Sequence, residues 1–174
     1  MNASFEKAMK LAVLSGLKIA MGPAFLRASQ RSPEARSWTA VALGEMVLDK
    51  TQFISKNRSS LPLLIPHAIA GGWVARECQR EEGVDDPMTT LMGAAVAAGV
   101  ATIAPLVRST AYHVLGVPSP VLGLVEDYLS IKLGMDAVGI SFDQVAQVAQ
   151  DSVEDLTGKV MAAIPHQSVG AGSM

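Results

Sequence analysis

The chain has 174 residues, 49% hydrophobic and only 17% charged, with a formal net charge of -2 and a positive mean hydropathy. An ordinary soluble domain carries about 25% charge, so this chain leans toward lipid; with no basic patch interleaved with aromatics, nucleic acid is excluded as a partner. Its one cysteine, Cys78, rules out a disulfide framework and reads as a small apolar side chain on a helix.

The length suits one domain, and the expected architecture is all-α, a small polytopic membrane bundle of about six helical segments over 1–164. The first segment, Phe5 to Arg27, is apolar, interrupted by Lys18 and by 22-GP-23, where a kink is expected. Lys7 and Lys10 ahead of an apolar run give it the look of a signal peptide, but Lys18 inside the run and the lack of a small-residue cleavage site make it a retained helix. Ser32-Pro33 starts a second helix that runs to about Phe53, with Pro33 at its first position. After the polar link 55-SKNRSS-60 comes a third helix, Leu63 to Glu81, with 71-GG-72 at its centre. The acidic loop 81-EEGVDD-86 leads to Pro87–Val107, an uncharged run that meets the length and polarity test for a membrane span. The break 116-GVPSP-120 precedes a fifth helix, Val121 to about Met135. An amphipathic sixth, Phe142 to Ile164, is followed by a tail, 165–174, expected to be disordered.

No strand alternation survives along the chain. Along the fourth segment, small residues recur as Gly93, Ala97 and Ala101, and again as Ala94, Ala98 and Thr102. Such stripes let a neighbouring helix approach closely. A shift of 81 lays 26-LRAS-29 on 107-VRST-110 and 41-VALGEMVL-48 on 122-LGLVEDYL-129, so Arg27 to Glu45 and Arg108 to Glu126 have equal spacing. This suggests repeats over 5–81 and 87–164; three helices in each would invert the second half in the membrane, a plan shared by many transporters. Basic residues divide nearly evenly between the two sides of six spans, so the positive-inside rule assigns no orientation.

The motifs 44-GEMVLDK-50 and 124-LVEDYLSIK-132 place acids on largely apolar helices. A carboxylate at mid-bilayer costs roughly 2.5–3.5 kcal/mol on insertion scales unless paired, protonated or hydrated. Glu45, Asp49, Glu126 and Asp127 therefore read in two ways. They form a proton, cation or solute site, or they are ion pairs with Lys18, Arg27, Lys50 and Arg108 that lock helices together. His67, His113 and His166 are too scattered for a metal centre, and no phosphate loop, nucleophile elbow or CxxC is present. Neither catalysis nor a cofactor is expected.

The runs ALGEMVLDK, SKNRSSLP, HAIAGGWVARE and APLVRSTAYHVLGVPSPVLGLVEDYLSI, within roughly Leu11 to Gly134, resemble the bacterial membrane-protein family containing the domain of unknown function 4126. Members share a GE-three-DK motif near the end of the second helix and a VED motif after a proline in the second half. Two departures are Lys18, where an arginine is common, and Thr51, where a proline is common. The resemblance implies a small integral protein of the bacterial inner membrane. Together with the acids it suggests a transporter or channel-like protein for a small solute, ion or proton; the alternative is a noncatalytic membrane subunit or scaffold. The expected partners are the lipid bilayer, a small solute or ion, and further copies of the chain.

Overall fold

The computed structural model describes residues 3–49 and 61–163, and among these the protein is all-helical. In chain order the helices are α1 (Ala3–Leu17), α2 (Met21–Ser29), α3 (Ala35–Leu48), α4 (Leu61–Arg80), α5 (Pro87–Leu115), α6 (Ser119–Val138) and α7 (Phe142–Ala163). Among the described residues seven helices stand where six segments were expected, because the first segment is divided. The division falls at 18–20, ahead of Gly22-Pro23. Pro23 lies in the first turn of α2, where a helix has no need of the missing N–H, so the Gly-Pro pair belongs to a helix start. The expected extension of α3 to Phe53, the link 55–60, Lys50 and the tail from Pro165 lie outside the described residues.

α1 and α2 form a hairpin. Ser4 Oγ donates to the Cys78 carbonyl at 3.0 Å, and the His67 ring meets the Ser15 carbonyl at 2.6 Å, so α1 runs antiparallel to α4. Lys7 on α1 reaches Glu81 Oε2 at 2.7 Å, and Gln30, just past α2, reaches Glu81 Oε1 at 2.7 Å. The C-terminal end of α2 has thus returned to the end of α4 beside which α1 begins, leaving 18–20 as the tip. Inside the hairpin a side chain on Gly22 would come within 2.5 Å of the Leu11 carbonyl oxygen, so the two arms touch through backbone.

α4 and α5 form a second hairpin, joined by the loop 81–86. A side chain at Gly71 would come within 2.5 Å of the Gly93 carbonyl oxygen, and one at Gly93 within 2.6 Å of the Gly71 carbonyl oxygen. Gly93, Ala97 and Ala101 are all buried, as the first small-residue stripe requires. The second stripe is only partly covered: Ala94, beside Gly72, and Ala98 are half-buried, while Thr102 is exposed, its hydroxyl bonded back to the Ala98 carbonyl. Asp86 caps α5 by accepting from the Met88 and Thr89 amides at 3.0 and 3.2 Å, with Pro87 in the first turn. Gly116 ends the helix at φ 64°.

At 29 residues α5 is about 43 Å long. Its segment Pro87–Val114 is long and apolar enough to cross a membrane, and is the one such helix among the described residues. Most of its apolar window is uncovered, as at Leu91, Ile103, Leu106 and Val107. α6 continues the exposed apolar surface with Val121, Leu124 and Leu129. α7 opens with a reciprocal cap between Ser141 and Gln144 and packs against α3, to which Arg36–Asp151 ties it at 3.1 Å.

The structure separates the two halves that the 81-residue shift relates. The first half breaks at 18–20, whereas α5 runs unbroken through Pro105. The basic residues of the repeat also choose different partners: Arg27 pairs with Glu34 and Glu77, Arg108 with Glu126.

Candidate functional site

The hairpin tip turns among charged groups. Lys18, 2% exposed, places its ammonium 2.6 Å from Asp49 Oδ2 and 3.1 Å from Asp127 Oδ1. α3 and α6 thus meet α1 through one cation. Glu45, one turn before Asp49 on α3, turns its carboxylate to the backbone, accepting from the Ile19 amide at 3.2 Å and the Ala20 amide at 2.8 Å. These amides stand at the start of α2, where the N-cap residue Ala20 has no side chain able to bond them. Glu45 supplies the missing acceptor and sets a negative charge against the positive end of the α2 dipole. The sharing of a face by Glu45 and Asp49 is what helical spacing requires; one carboxylate takes the backbone and the other the lysine.

The other arm is capped by a different group. α1 ends at the tip with carbonyls directed at it, and the His67 Nδ1 lies 2.6 Å from that of Ser15. Such a contact needs a proton on Nδ1. His67 is 6% exposed. Cationic Lys18 and this N–H donor therefore meet the negative end of α1, while Glu45 meets the positive end of α2.

The depth of the tip follows from its neighbours. Gly16 abuts the Ala97 carbonyl and the Val100 side chain, near the middle of α5. Lys18 thus lies level with the central turns of the most apolar helix. Among the described residues the tip brings Lys18 together with three carboxylates, Glu45, Asp49 and Asp127.

Arg108 and Glu126 form a separate pair on α5 and α6. Arg108 Nη1 is 3.8 Å from Glu126 Oε2, beyond hydrogen-bonding distance. Arg108 Nε and Glu126 Oε1 are buried with no hydrogen-bond partner among the described residues. A groove of about 380 Å³ between the two helices has Arg108, Glu126 and Leu17 in its wall. It therefore reaches the residue before Lys18, and Glu45 takes no part in it. Ser130, one turn past Asp127, is fully buried with its hydroxyl unpartnered among the described residues.

Arg27 belongs to neither group. It lies over the Trp73 ring at 4.8 Å and pairs with Glu34 and Glu77 at 3.0 and 3.7 Å; Trp73 stacks on Trp38 at 6.0 Å. This closes the end of the hairpin opposite the tip. Glu81 sits there too: burial alone raises its carboxyl, but the hydrogen bonds from Lys7 and Gln30 bring it below its ordinary value.

Of the eight residues singled out in the sequence, Lys18, Glu45, Asp49 and Asp127 come together at the tip. Arg108 and Glu126 pair apart, Arg27 fastens the far end, and Lys50 is outside the described residues. Sequence reasoning considered His67 only as a metal ligand and passed over Ser130. The signal for His67 was its position in LPLLIPHAIAGG, an otherwise uncharged apolar run, where an ionisable group marks function or a backbone cap. No family model matches the chain, and neither the curated proteins nor the solved structures contain a match.

Proposed function

We propose that the protein is an integral membrane protein that moves a small cation or a proton past the tip of the α1–α2 hairpin. The observation that carries this reading is Lys18, buried and shared by Asp49 and Asp127 beside a helix break level with the middle of α5. Non-helical backbone at membrane depth is tolerated where protein encloses it or where it lines a polar path, and discontinuous helices with ions at their ends are a recurrent way of binding transported ions. The apolar outer face of α5 and α6 supports a lipid setting. The resemblance of the GEMVLDK and VED segments to a bacterial membrane family supports the inner membrane as its place.

A second reading, a noncatalytic membrane subunit, is favoured by the exposed side chains Ile103, Leu106 and Leu124, which suit a protein neighbour as well as lipid. Purified protein in liposomes under an ion gradient separates the two. Ion or proton flux that Asp127→Asn abolishes, with the thermal melt in detergent little changed, supports transport. Absence of flux from the wild type overturns it.

A further inference from the structure

We infer that one acyl chain of an anionic phospholipid docks in a slot between α2, α3, α6 and α7, with its phosphate held at the mouth by Arg31 and Arg36. The inference rests on the membrane setting proposed above and not on transport. Two adjoining cavities carry it. The inner one, about 200 Å³, is walled by Met21 and Phe25 of α2, Leu43 and Met46 of α3, Ile131 of α6 and Val145 of α7, and Thr39 is the one polar side chain in its lining. The outer one, about 690 Å³, has Arg31, Arg36, Gln147 and Asp151 in its wall. Ala28, Ile140 and Val148 border both, so the polar basin and the apolar slot meet there.

The order of the lining residues gives the slot a direction. From Ala28 back to Met21 along α2, and from Thr39 to Met46 along α3, it leads about 10 Å from the basin toward the hairpin tip. An apolar cavity of about 150 Å³ stays dry and takes a molecule as large as benzene, so this slot is a place for hydrocarbon. The charged end of the occupant then lies at the rim, where α2 ends and α3 begins.

The rim selects an anion. The charged side chains in the basin wall are two arginines and one aspartate. Asp151 meets Arg36 Nη2 at 3.1 Å, and a guanidinium has five N–H donors to share between a carboxylate and a phosphate. Arg31 enters no ion pair among the described residues. It follows the C-cap of α2 at φ 51°, with its amide on the Ala28 carbonyl at 3.1 Å and the Ser32 amide on the Arg27 carbonyl at 3.0 Å. Glycine or asparagine ordinarily ends a helix in this way. An arginine there carries strain that glycine avoids, and what it adds is a cation at the mouth of the slot. Basic pockets between membrane helices are a recurrent means of holding anionic headgroups.

The test uses the full chain in detergent, with native mass spectrometry reading the lipid retained from equal mixtures of phosphatidylglycerol and phosphatidylcholine with the same chains. The wild type is expected to keep one phosphatidylglycerol with about tenfold preference, since each arginine near a headgroup favours anionic lipid several-fold. Arg31→Gly combined with Arg36→Gln should bind the two lipids alike, and glycine suits the backbone of residue 31, so the melt should hold. Ala146→Phe, at an exposed position in the slot wall, should lower retention of both lipids and leave the melt in place. Equal retention by the wild type, or a preference that the double variant keeps, overturns the inference and leaves the membrane setting standing. Oleate bound ahead of either phospholipid also overturns it, by replacing the bilayer lipid with a free fatty acid. A chain that stays monodisperse without detergent and retains neither lipid removes the membrane setting together with the inference.

Discussion

The Lys18 and Arg108 sites start from comparable sequence and end in different physics. Each sets a basic residue against an acid on α6, Lys18 against Asp127 and Arg108 against Glu126, and these acids are adjacent in the chain. Lys18 is enclosed by helices, within 2.6 and 3.1 Å of two carboxylates. Arg108 has one partner at 3.8 Å beside an open groove. The difference is the hairpin. By folding back, α1 and α2 present the Ile19 and Ala20 amides, the Ser15 carbonyl and a lysine, and polar side chains from α3, α4 and α6 meet them. α5 continues past Arg108 as an unbroken helix, and among the described residues its arginine is paired with one acid.

The largest effect expected from this contrast is at Lys18. Lys18→Met leaves Asp49 and Asp127 without their shared cation in a buried setting, and should cost about 3–5 kcal/mol, read as a lowered melting temperature in detergent. The matching change at the looser site, Glu126→Gln, should cost less, about 1–2 kcal/mol, since the pair it breaks is already beyond hydrogen-bonding distance. Equal losses at the two sites would remove the distinction drawn between them.

The α4–α5 contact that fixes the depth of the tip can be probed in the same way. Gly93→Val forces a side chain against the Gly71 carbonyl and should cost about 1–3 kcal/mol. Gly99→Ala, where nothing lies within 4 Å, should be neutral or slightly stabilising. The smallest effect is at the rim. Hydrogen bonds from the Thr89 hydroxyl and the Met88 amide hold the Asp86 carboxyl below the ordinary aspartate value of 3.8. A depressed carboxyl contributes its stability in full above the unfolded value and loses it as pH falls through the folded one. Hydrogen exchange at Met88 and Thr89 should therefore quicken below pH 3.8 in the wild type, and be fast throughout in Asp86→Ala.

The helices were legible from periodicity and punctuation. Asp86-Pro87 opens α5 and Gly116 closes it, as short-range rules require. The break at 18–20 was not, because Lys18, Ile19 and Ala20 are acceptable helix residues and what ends the helix is the Glu45 carboxylate, arriving from another helix. The importance of Lys18, Glu45, Asp49 and Asp127 was visible in their placement on apolar segments. Their partners were not, because partner choice depends on the hairpin; the equal spacing of Arg27 to Glu45 and Arg108 to Glu126 suggested a repeat, but the fold sets Arg108 beside Glu126 and Arg27 beside Glu34 and Glu77. His67 escaped for the same reason, its target being a carbonyl that only a finished α1 presents.

The short first arm has a consequence for biogenesis. α1 has 15 residues, about 22 Å of helix, against roughly 30 Å of hydrocarbon, and a lysine follows directly at its tip. In a membrane it is a poor independent span, and the groups that hold it, His67, Cys78 and Glu81, are synthesised 52 to 74 residues after their partners. Insertion in strict order from the ribosome would present the bilayer with an unpaired Lys18 and uncapped helix ends. On the membrane reading proposed above, the hairpin would instead wait in the interfacial region until α4 has been made, then enter as a unit beside it, so that α1 would reach its final depth after helices made later than itself.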